Sequence, residues 1–92
     1  MSELRQSVTI VNKRGLHARA SAKFVGAVAA LESGVSVRVA KETNSAAGGS
    51  ILGLMMLGAA KGDTVEVIVE GNGAEAVRGD LVALIADGFG EE

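Results

Sequence analysis

A chain of 92 residues, 48% hydrophobic and 22% charged, can bury one modest core but has no room for two. It contains no Cys, which excludes a disulfide framework, a thiolate nucleophile and any Cys-ligated metal centre. Nine basic side chains against eleven acidic ones give a net charge of −2, and two Phe are the only aromatics, so neither a basic footprint nor a stacking platform for nucleic acid exists.

No apolar run approaches the roughly eighteen residues that span a bilayer. Met1 to Ser7 is polar and carries Glu3 and Arg5, so it does not read as a signal peptide. A soluble cytoplasmic domain over residues 1–92, with its core at about 6–88, is the expectation.

Ser7 to Val11 is β-branched and stops at Asn12-Lys13-Arg14-Gly15, which predicts a strand and a turn. Ala18 to Glu32 follows as a helix, with Ala20, Phe24, Val28 and Leu31 on one face and Ser33-Gly34 as its stop. Val35, Val37 and Val39 alternate with Ser36, Arg38 and Ala40, predicting a strand with one wet face. Glu42 to Ser45 is expected to pair back as a weaker strand, and Ala46-Ala47-Gly48-Gly49 to act as a flexible connector. Ser50 stands at the N-cap position of a short apolar helix starting at Ile51, for which Ile51, Leu54 and Leu57 are the expected core residues. Thr64 to Glu70 is the clearest strand, with Val65, Val67 and Val69 on one side and Glu66, Ile68 and Glu70 on the other. Ala74, Val77, Leu81, Leu84 and Ile85 then mark a last helix that runs to about Asp87 and stops at Gly88. The order β-α-β-β-α-β-α, with one wet face per strand, predicts an α+β domain: a mostly antiparallel sheet covered on one side.

Chemistry concentrates at Asn12 to Ser21. A Gly-containing turn delivers the single His, His17, to the first turn of a helix, and Arg19 lies two residues later. Helix N-termini offer unpaired N–H groups and partial positive charge, so they hold anions. A guanidinium alongside completes a place for a phosphoryl group on the imidazole, which is itself a competent nucleophile near neutral pH. An Arg in a first helical turn opposes the dipole, a local conflict that points to use rather than stability.

Gly15-Leu16-His17-Ala18-Arg19, with Lys23-Phe24-Val25 on the following helix, resembles HPr, the histidine-containing phosphocarrier family of the bacterial phosphoenolpyruvate-dependent sugar phosphotransferase system. A second block, Ser50-Ile51-Leu52-Gly53-Leu54-Met55-Met56-Leu57-Gly58 and then Lys61-Gly62-Asp63, extends the resemblance over roughly Gln6 to Gly88. It implies an open-faced β-sandwich, a four-stranded antiparallel sheet with three helices on one side. By resemblance, His17 would take a phosphoryl group on Nδ1 (the pros nitrogen) from phosphorylated enzyme I and pass it to a histidine of an enzyme IIA protein. Arg19 would screen the phosphoryl charge, and Ser50 would match the serine that an ATP-dependent HPr kinase phosphorylates in many members. No cofactor is implied, since the Mg²⁺ requirement belongs to enzyme I; nor is nucleic acid or membrane insertion, and a monomer is expected.

Three positions depart from the family pattern. Ala20 stands where Pro usually follows the Arg and would give a slightly looser helix start. Gly49 stands where a Lys often precedes the regulatory serine. The interval from His17 to Ser50 is also a residue or two long, which makes Ser45 the rival for that role. Leu52 and Met55, spaced i and i+3, are expected to share an exposed docking face, joined by Ala18 and Ala20 next to His17. The alternative function is a regulatory docking module on the same fold, controlled mainly by serine phosphorylation; such a module could lose His17 and still work.

Overall fold

A computed structural model of the chain describes residues 3–91. Four strands form one sheet, β1 (Leu4–Thr9), β2 (Ser36–Lys41), β3 (Asn44–Ala47) and β4 (Thr64–Glu70), in the order β1-β4-β2-β3 with every neighbour antiparallel. The helices are α1 (Ala18–Ala29), α2 (Ile51–Met56) and α3 (Ala74–Ala86). Alternation puts Val8, Val37, Val39, Val65, Val67 and Val69 into one buried cluster with Ala20 and Phe24 of α1, Leu54 of α2, and Leu81 and Ile85 of α3. The result is the expected open-faced sandwich. No helix among the described residues is long and apolar enough to cross a membrane.

The other sheet face is open, and Ile68 lies on it. The register sets Arg5 and Arg38 on either side of Ile68, and both guanidinium groups bond Glu3, at 3.0 and 2.8 Å. Aliphatic stems of such cross-strand neighbours can cover an apolar side chain on a wet face, and Ile68 is only 3% exposed.

Several boundaries differ from the sequence reading. β1 begins three residues earlier than Ser7 and stops at Thr9, because pairing runs from Leu4 opposite Val69 to Thr9 opposite Thr64. Helix α1 stops at Ala29: Ala30 caps it, and the Leu31 N–H donates to Val28 O in a tighter final turn. β3 is shifted as well. Ala46 and Ala47 are strand residues opposite Val39 and Arg38, not a flexible connector, while Glu42 lies in the turn with φ 57°. In α2, Ile51 is 41% exposed and does not join the core; Leu54 and Leu57 do.

Beyond α3 the chain makes a further turn at Gly88–Gly90 that buries Phe89 to 1% exposure with φ 59°. Burying a Phe side chain contributes about 1.5–3 kcal/mol, enough to offset a left-handed non-Gly residue, which costs on the order of 1–3 kcal/mol. Phe89 therefore anchors the last described residues against the fold.

Candidate functional site

The loop from Ile10 to Leu16 is fastened to the loop before β4. Ile10 N donates to Asp63 O, Gly62 N to Ile10 O and Leu16 N to Ala59 O, at 2.8, 2.8 and 3.0 Å. Gly15 makes the closest approach: its φ is +61°, and a Cβ there would lie 2.2 Å from Ala59 O. Asn12 Nδ2 donates to Gly15 O at 2.8 Å and fixes the turn from inside.

His17 leaves this loop as the N-cap of α1, in an extended conformation (φ −76°, ψ −178°). Its carbonyl accepts from Ser21 N at 2.9 Å, the first helical bond, and its ring Nδ1 accepts from Arg19 N at 3.3 Å. The ring thus does the work usually given to a Ser or Asp cap. Its other nitrogen, Nε2, lies 2.6 Å from Glu91 Oε2. Asn12 Nδ2 donates to the second oxygen, Glu91 Oε1, at 3.1 Å, and Lys23 Nζ donates to Phe89 O at 2.7 Å. The hydrogen bond from His17, followed by that from Asn12 and the positive field of His17 and Arg19, holds the Glu91 carboxyl below its ordinary range despite partial desolvation.

Lys13, Arg14, His17, Arg19, Lys23, Gly90 and Glu91 line a cleft of about 470 Å³. Among the described residues, four fixed cations against one carboxylate line it, in a chain whose net charge is negative. Such a cleft is suited in charge to a multiply charged oxyanion next to the ring nitrogen at the N-terminus of α1.

The structure thus brings His17 and Arg19 together, with Arg19 exposed at the rim. Ser50 is the N-cap of α2 and its Oγ accepts from Gly53 N at 2.9 Å, whereas Ser45 lies within β3 opposite Ala40. Leu52 and Met55 are exposed, and so are Ile51 and Met56, which extends the apolar patch beyond the expected pair. Ala18 is exposed too. Ala20 is not: its methyl is wholly buried, packed in the core with Phe24, so it supports the helix start and offers no docking contact. Sequence reasoning missed Glu91 altogether, and gave Asn12 and Lys23, though within the quoted segments, no role at the site.

The chain matches the family model described as "PTS HPr component phosphorylation site" over residues 4–87. It belongs to the HPr family of phosphocarrier proteins. It is 48% identical over 89 residues to a phosphocarrier protein HPr of Neisseria meningitidis serogroup A, covering 96% of this chain and 97% of that one. A phosphocarrier protein NPr of Shewanella violacea is 36% identical over 91 residues, covering 99% and 98%. Among solved structures, HPr-C-His from Thermoanaerobacter tengcongensis superposes with a TM-score of 0.86 at 37% identity, over 100% of this chain and 99% of the other. The phosphotransferase-system family and the open-faced fold of the sequence reading both stand.

Proposed function

We propose that this phosphocarrier accepts a phosphoryl group on His17 Nδ1 from phosphorylated enzyme I and passes it to a histidine of enzyme IIA proteins in the cytoplasm. It acts as a covalent relay with no turnover of a small molecule by itself. The observation that supports this reading most is a single imidazole placed at a helix N-terminus in a cleft with four cations. The backbone amides and Arg19 neutralise charge on the transferring group, which is most of what phosphoryl transfer asks of a protein. Incubation with phosphoenolpyruvate, Mg²⁺ and enzyme I is expected to load acid-labile phosphate onto the parent chain and none onto His17→Ala. Label on the Ala variant that still reaches the acceptor would overturn the reading.

A regulatory role for Ser50 is the second part of the proposal, favoured by its position capping α2 beside exposed Ile51, Leu52, Met55 and Met56. A phosphate placed there by an HPr kinase would put up to two negative charges next to an apolar docking patch and oppose approach of an acidic partner. Ser45, paired within a strand, would not place charge at a helix end.

A further inference from the structure

A neutral imidazole has one N–H donor and one lone-pair acceptor, and its neighbours decide which nitrogen is which. At His17 both neighbours have fixed roles. A backbone N–H can only donate, and Arg19 N faces Nδ1 at 3.3 Å. A carboxylate can only accept, and Glu91 Oε2 faces Nε2 at 2.6 Å. The proton is therefore on Nε2 and the lone pair on Nδ1.

Glu91 is itself held. Asn12, 3% exposed, donates to its Oε1, Phe89 is buried two residues earlier, and Lys23 grips the Phe89 carbonyl. The His17 and Glu91 side chains are only 13% and 15% exposed, so water competes weakly for this bond. From these contacts we infer that Glu91 is a positioning residue for phosphoryl transfer: it keeps the His17 lone pair on Nδ1 and balances the charge that the ring acquires. This rests on the phosphocarrier reading above.

The step balances without moving a proton. The Nδ1 lone pair forms a bond to the phosphorus of the donor phosphohistidine, and the donor's P–N bond breaks with its electron pair returning to the donor nitrogen. The Nε2 proton stays on the His17 ring, which becomes a phosphorylated imidazolium facing the Glu91 carboxylate. On transfer to the acceptor the same bond breaks and the ring returns to the neutral Nε2–H form. Lys13, Arg14, Arg19 and Lys23 face the cleft from the loop and α1 and act on the phosphoryl group; Glu91, the one carboxylate among the described residues that line the cleft, acts on the ring.

The test uses the full chain, whose single His gives one set of ring signals. ¹⁵N NMR at about pH 9, where imidazoles are neutral, is expected to show the Nε2–H tautomer in the parent and a mixture in Glu91→Gln. The rate of label uptake from phosphorylated enzyme I is expected to fall about tenfold in Glu91→Gln, the lower end of the loss when the carboxylate behind a metal-ligating His is removed. Glu91→Asp should recover part of both signals. An unchanged tautomer in Glu91→Gln overturns the positioning role whether or not label loads. Faster uptake also overturns it, since Glu91 would then compete with the incoming phosphoryl group. Failure of the parent chain to load label sinks the carrier reading instead and leaves the tautomer measurement standing.

Discussion

Helices α1 and α2 begin alike and sit in different surroundings. Each starts from an extended residue whose side chain accepts a backbone N–H: Arg19 N to His17 Nδ1 at 3.3 Å, and Gly53 N to Ser50 Oγ at 2.9 Å. The cap of α1 is set among Lys13, Arg14, Arg19 and Lys23, with Glu91 behind the ring. The cap of α2 opens onto Ile51, Leu52, Met55 and Met56, all exposed. A phosphoryl group added at the first site meets compensating charge and can be handed on. The same group at the second meets an apolar surface and changes what that surface will bind. On the proposed reading both residues take a phosphoryl group, and the charge around each decides whether that phosphate is cargo or signal.

That contrast is sharpened most by putting charge where it is uncompensated. Ser50→Asp keeps an acceptor oxygen for the Gly53 N–H, so the thermal midpoint should stay within a few degrees of the parent. Label uptake at His17 from enzyme I should nevertheless slow about tenfold, equivalent to about 1.4 kcal/mol of docking energy. Equal rates in the variant and the parent would break the comparison, because charge at α2 would then be without consequence for transfer.

A smaller effect is expected from deleting the cap outright. Ser50→Ala leaves the Gly53 N–H without its acceptor and should cost about 1 kcal/mol, read from urea unfolding as a lower midpoint at constant slope. A loss well under half of that would mean that the α2 cap contributes nothing special to the fold.

How far these features were legible in the sequence depended on whether a local pattern carried them. Thr64–Glu70 could be placed to the residue because three valines alternate with Glu66, Ile68 and Glu70 in a β-branched run bounded by turn residues. Ser50 could be placed as a cap, and His17 at the start of a helix, because turn residues and apolar spacing fall on either side of them. β3 was misplaced because Asn44-Ser45-Ala46-Ala47 has no β-branched or alternating residue, and only its pairing with β2 makes it a strand. Ile51 went to the wrong side because a helix of six residues, apolar nearly all round, has no stripe to orient it. Glu91 was out of reach in a different sense. It meets His17 across 74 residues, and nothing in Gly-Phe-Gly-Glu points to that contact except an isolated aromatic between two glycines, which turns out to be the anchor.

The smallest effect expected distinguishes Glu91 from the surface carboxylates by acid titration. Glu91 is held low first by its hydrogen bond with His17, and Asp63 is held low first by the Ala60 N–H and then by Lys41. A carboxyl depressed on folding stabilises the native state above its unfolded pKa, ordinarily 4.5 for Glu and 3.8 for Asp, and that stability is lost as pH falls through the lower folded value. Stability of the parent chain should therefore decline below about pH 4.5, and Glu91→Gln and Asp63→Asn should each flatten part of that decline. Each contribution comes from a single polar contact, so each part is small. Salt separates them: the Asp63–Lys41 pair at 3.1 Å, with side chains 36% and 23% exposed, should be screened more than the His17–Glu91 pair at 15% and 13%. If Glu91→Gln leaves the acid limb untouched at low salt, the carboxylate behind the ring is not engaged in solution, and α1 and α2 would differ only in their cations.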